Sequence, residues 1–167
     1  MLRRSHILIG FVGLVAFWIP VAAKKGGRAH VLAGRVFEWC GYYVAGTALF
    51  ACARYLLIPH HFAFIDRPDA SPEELQRVMF AQFFLTVLAF LAWIFLVQLR
   101  NGMRVVRTRT LPAKAYQHWE AKFWLYSQLA ASIALMIYGA YRLINGGPAY
   151  HWISVVVGGI PLTEFRK

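Results

Sequence analysis

VMFAQFFLTVLAFLAWIFLVQL, residues 78–99, carries no charged side chain, and its polar breaks are Gln82, Thr86 and Gln98. A helix rises 1.5 Å per residue and needs about 20 mostly apolar residues to cross the hydrocarbon layer of a bilayer. The run meets that requirement. A lone strand cannot satisfy its backbone N–H and C=O groups in lipid. Strands of a transmembrane barrel read instead as alternating segments of about ten residues, a pattern missing from this chain. The stretch therefore predicts a membrane-crossing helix in an all-α fold.

Working outward, three more runs come close to the same length. Residues 7–23 are uncharged and contain Gly10, Gly13 and Pro20; residues 36–53 are apolar apart from Glu38 and Thr47; residues 123–141 are uncharged, with Ser127, Gln128 and Ser132 making one side slightly polar. A fifth stretch, residues 149–162, is short and holds His151, Gly158, Gly159 and Pro161. It reads as an interfacial or re-entrant piece, with a fifth span as the competing reading. The expectation is one transmembrane domain over residues 1–167, an integral membrane four-helix bundle with a short C-terminal segment. The first run has a rival interpretation, because Arg3, Arg4, a short apolar core and Val21-Ala22-Ala23 resemble a secretory signal. Lys24 and Lys25 directly after that cut favour an uncleaved helix.

Composition agrees with a lipid environment. Of the 167 residues 59% are hydrophobic and only 15% charged, against roughly 25% charged in soluble domains, and mean hydropathy is +0.50. A soluble domain of this size would leave much of that apolar surface bare to water. The net charge of +11 sits in clusters beside apolar runs, as in loops facing anionic headgroups, and nucleic acid is set aside as a partner. Lys24, Lys25, Arg28 and Arg35 fill the first connection, and Arg100, Arg104, Arg107, Arg109, Lys114 and Lys122 the third, whereas the second offsets its arginines with Asp66, Asp69, Glu73 and Glu74. By the positive-inside rule, residues 24–35 and 100–122 face the cytoplasm of an inner-membrane, multi-pass protein, with anionic headgroups there as partners. Arg3, Arg4, Arg166 and Lys167 oppose that orientation at the two termini.

Few residues point to chemistry. His30 and His118 stand at the cytoplasmic ends of the second and fourth runs, the minimum for a bis-histidine haem b or a metal, although neither lies inside a span. His60 and His61, beside Pro59 and near Asp66, read as a solvated turn. Glu38 is an acid inside a span and needs a partner; Arg35, three residues earlier on the same helical face, is the expected one. Cys40 and Cys52 are too far apart along one helix to bond each other. Gly41, Ala45, Ala48 and Cys52 form a small-residue stripe for close helix approach, with Ser127, Ala130, Ala131 and Ala134 as a matching face on the fourth helix. No phosphate loop, HExxH or serine elbow occurs, so no catalytic residue is assigned.

Lys25-Gly26-Gly27-Arg28-Ala29-His30, followed by Gly34-Arg35-Val36-Phe37-Glu38-Trp39, resembles the signature of a bacterial family of membrane proteins of unknown function, numbered 2306. Asn101-Gly102-Met103-Arg104-Val105-Val106-Arg107 is similar to the stretch after that family's penultimate helix. Phe37 stands where the family has tyrosine, and Glu38 where it is apolar. The resemblance implies architecture and location, and no activity. Three functional readings follow. The leading one is a non-enzymatic accessory or assembly subunit of a larger membrane complex, contacting a membrane-protein partner or a second copy. The others are a haem- or quinone-associated redox protein using His30 and His118, and a small transport component using Glu38.

Overall fold

The computed structural model describes residues 2–57, 71–108 and 119–164. Among these residues five α-helices follow one another: α1 Leu2–Ala22, α2 Arg28–Leu57, α3 Pro72–Thr108, α4 Trp119–Ile144 and α5 Trp152–Glu164, the last preceded by a 3-10 turn, Ala149–His151. No strand occurs among the described residues.

Local chemistry sets the ends. The turn between α1 and α2 reverses at Gly26, whose φ of 78° is open to glycine without strain, and Gly27 N–H donates to the Lys24 carbonyl. Ser71 and Glu74 form a reciprocal capping box, each backbone N–H donating to the other's side chain at 3.0 and 3.2 Å, with Pro72 at the first helical position, where its missing N–H costs nothing. That cap starts α3 ahead of the apolar run. The helix then continues to Thr108, 37 residues in all, about 55 Å at 1.5 Å per residue, so both charged ends reach beyond an apolar layer of about 30 Å. α4 closes in a Schellman motif: Gly147 N–H reaches the Arg142 carbonyl at 2.7 Å, Gly146 N–H reaches that of Leu143 at 3.2 Å, and Gly146 has φ 74°.

Consecutive helices run antiparallel, and the substantial packing lies between neighbours in the chain: α1 on α2, α2 on α3, α3 on α4, α4 on α5. Among the described residues α1 has no substantial packing on α4, the contact a closed four-helix bundle requires. Within the described residues the helices form an open row, and the four-helix bundle expected from the sequence is not confirmed. Among the described residues three helices are long and apolar enough to cross a membrane: α1, α3 and α4. The expected second span falls outside that set, because Glu38, Trp39, Tyr42 and Tyr43 lower the hydropathy of residues 36–53.

Close approaches are made by small residues. A Cβ on Gly13 of α1 would stand 2.9 Å from the Cys40 Cβ of α2, and one on Gly41 would stand 2.7 Å from Leu99 Cδ2 of α3. Ala45 and Cys52 are buried along the same face of α2, so the stripe read from the sequence faces α3. The small-residue contact of α4 is with α5: a Cβ on Gly139 would meet the Ser154 Cβ and the His151 carbonyl, and one on Gly158 the Ser132 carbonyl. Ala130 and Ala134 of the expected matching face are exposed. The α5 helix of 13 residues covers about 20 Å, short of a full crossing.

Candidate functional site

The antiparallel order brings the start of α2, the end of α3 and the start of α4 to one end of the row, where charged residues gather. Arg107 of α3 donates from Nη2 to Glu38 Oε1 of α2 at 2.5 Å. Glu38 is only 5% exposed, and a carboxylate buried without a cation is strongly unfavourable. Arg35, one turn earlier, is exposed and has no ion pair among those described. The partner expected from the sequence, Arg35, is therefore replaced by Arg107. Intrahelical spacing brings two residues near each other, but the buried face of α2 looks at α3, and Arg107 arrives from there.

Glu120, in the first turn of α4, takes two more guanidinium groups, Arg100 Nη2 on Oε1 and Arg104 Nη1 on Oε2, the latter at 3.4 Å. Arg100 also lies over the Trp124 ring, 5.2 Å from its centroid, and Trp124 packs on Trp93 of α3 at 5.3 Å. Tyr42, Asn101 and Met103 line, together with Arg100, Arg104, Arg107, Glu120 and Trp124, a cavity of about 200 Å³. Three arginines thus converge on two carboxylates, and the five groups together sum to one positive charge.

Of the histidine pair expected from the sequence, only His30 falls within the described residues. Its Nδ1 donates to the Pro20 carbonyl at 3.3 Å, tying the start of α2 to the end of α1. His118, like His60 and His61, lies outside the described residues. No group of three His, Cys, Asp or Glu forms a metal-ligand set among those described.

Two features escaped the sequence reading. His151, in the 3-10 turn, is completely buried, and neither ring nitrogen has a hydrogen-bond partner among the described residues. Its ring lies among Phe83 of α3, Tyr138 of α4 and Tyr150, with centroids 5.2, 5.6 and 4.9 Å away. Gln128, Ser132 and Ser154 are buried along the α4–α5 contact with side-chain oxygens equally unpartnered. A histidine beside Gly158 and Gly159 in a short apolar stretch was the available signal. At the opposite end from Glu38, a cavity of about 400 Å³ lies between α1, α2 and α3, with Leu85, Leu88, Phe50 and Cys52 as apolar walls and Arg3, His6, Thr47 and Arg54 as polar ones. The Thr47 hydroxyl lies 2.8 and 3.0 Å from the Tyr43 and Val44 carbonyls and 2.7 Å from His6 Nδ1, a hydrogen bond whose direction follows the histidine tautomer.

All-helical architecture with three membrane-length apolar helices fits a membrane protein. Comparison with known proteins finds no family model, curated protein or solved structure that matches the chain.

Proposed function

We propose that the chain is a multi-pass inner-membrane protein that works without catalysis, as an accessory or assembly subunit beside a larger membrane complex. One observation carries the reading: the row is open, so α1 and α5 stand at its two edges. Of the residues of α1 only Gly13 and Ala16 are buried, while Phe11 and Trp18 are 64% and 61% exposed. An edge helix so lightly committed to its own chain offers a lateral surface to a second membrane protein or a second copy. α2 crosses with its neighbours on this reading, since it lies antiparallel between two apolar helices and its one buried acid is neutralised by Arg107. Residues 24–35 and 100–122 share the cytoplasmic side, and the resemblance to the unknown-function family 2306 bears on the architecture alone. The test is photo-crosslinking in native membranes from probes at Phe11 and Trp18, followed by mild-detergent purification. A crosslink to a defined membrane protein or to a second copy supports the proposal, and crosslinking to lipid alone overturns it.

A second reading, a quinone-associated redox protein, is favoured by the cavity at His6 and Thr47. An apolar slot between helices with a histidine at its wall offers a polar contact for the head and an apolar lining for the tail of a quinone. Quinone extracted from the purified protein, and lost in His6→Ala, supports it; quinone-free protein removes it. Haem b on His30 is tested by the same preparation, through a Soret band lost in His30→Ala. Nothing in the geometry favours transport through Glu38, whose carboxylate is held by Arg107.

A further inference from the structure

We infer that the cavity walled by Tyr42, Arg100, Asn101, Arg104, Arg107 and Trp124 is a binding site for the phosphate headgroup of an anionic phospholipid. The inference rests on the membrane reading above and gives the anionic headgroups expected from the sequence a specific site.

Charge comes first. Three guanidinium groups meet two carboxylates, Glu38 and Glu120, so these groups carry a net positive charge of one, the complement of a phosphodiester. Donor capacity comes second. A guanidinium has five N–H donors, and among the described residues Arg100 and Arg107 each give a single N–H to a carboxylate. Both remain reachable, with side chains 39% and 66% exposed. Arginine suits such a ligand because its planar fork matches phosphate oxygens. Level comes third. The uncharged run of α3 ends at Leu99 and Arg100 follows at once, so the cavity sits where the apolar layer gives way to headgroups. Trp93 and Trp124, packed beside it, are interfacial residues by type. A soluble anion needs no apolar flank, whereas a lipid phosphate arrives at this depth with its acyl chains against α3 and α4. Basic pockets between helices at the cytoplasmic surface hold lipid headgroups for the same reason.

The experiment uses the full chain in detergent, exchanged into nanodiscs of phosphatidylcholine with a minor fraction of phosphatidylglycerol, followed by native mass spectrometry of retained lipid. Wild type is expected to retain phosphatidylglycerol over phosphatidylcholine roughly fivefold, the effect of one basic group at a headgroup surface. Arg100→Gln abolishes the preference. Glu120→Gln increases it, because it removes a competing carboxylate; a purely structural ion-pair network predicts no such gain, and this variant keeps the inference falsifiable if Arg100→Gln fails to fold. Equal retention of the two lipids, an unchanged preference in either variant, or displacement of phosphatidylglycerol by inorganic phosphate overturns the inference. Failure of the chain to partition into membranes at all strikes the membrane reading instead.

Discussion

Glu38 and Arg107 are 69 residues apart in the chain and 2.5 Å apart in space, and the pair fixes the register of α2 on α3. Sliding one helix by a turn would strand a carboxylate inside the protein. Removing Arg107 is therefore expected to cost about 3 kcal/mol, whereas Arg35→Ala changes stability by less than about 0.5 kcal/mol, as surface substitutions do. Thermal melts of the detergent-solubilised variants decide this, and Arg107→Ala combined with Glu38→Gln should recover much of the loss. Equal sensitivity at Arg35 and Arg107 would show that the pair does not hold the register.

Close packing separates the glycines. Gly139→Ala drives a methyl into the His151 carbonyl and the Ser154 Cβ, atoms that move only if α4 and α5 part, and should cost about 2 kcal/mol. Gly41→Ala meets the far end of the Leu99 side chain and the Phe95 ring, which can give way, so its cost should stay under about 1 kcal/mol. Nothing lies within 4 Å of a Cβ at Gly46, and alanine there should be neutral or favourable. Denaturation midpoints in that order check the packing.

His151 offers a test of the buried polar strip. Phenylalanine has nearly the same shape and no polar atoms to leave unpaired, so His151→Phe is expected to hold or raise the thermal midpoint. His151→Ala opens a hole among Phe83, Tyr138 and Tyr150 and should lower stability by about 3 kcal/mol. A large loss in the phenylalanine variant would show that the ring nitrogens bind something stabilising.

Much of the fold could be read from the chain, because span length and the absence of charge are properties of single segments. Residues 78–99 identify α3 by themselves, and Gly26 with its flanking lysines announces the first reversal. The ends of α3 were harder: charged residues extend a helix past the apolar layer without penalty, so the Ser71 cap sets the start. Which helix touches which is a relation between segments, and local spacing carries little of it. Arg35 satisfied every local criterion for pairing with Glu38, yet the burial of that face selected Arg107. His151 was visible as a residue, but its enclosure depends on α5 folding back onto α4.

Sidedness has its own test. Single cysteines placed at Lys24 and Arg107 should label from the same side of the membrane and one at Ser71 from the other, in a background where Cys40 and Cys52 are buried. Labelling of Lys24 and Arg107 from opposite sides would contradict the antiparallel order of α1, α2 and α3.

Because each helix from α2 onward packs on the segment just before it, assembly can keep pace with synthesis. A newly made helix leaving the ribosome meets a docking face already inserted, and no early helix has to wait for the last one. Loop-closure entropy stays small at every step, and a chain cut after α2 should still insert as a paired hairpin, with α1 against α2 through Gly13 and Cys40.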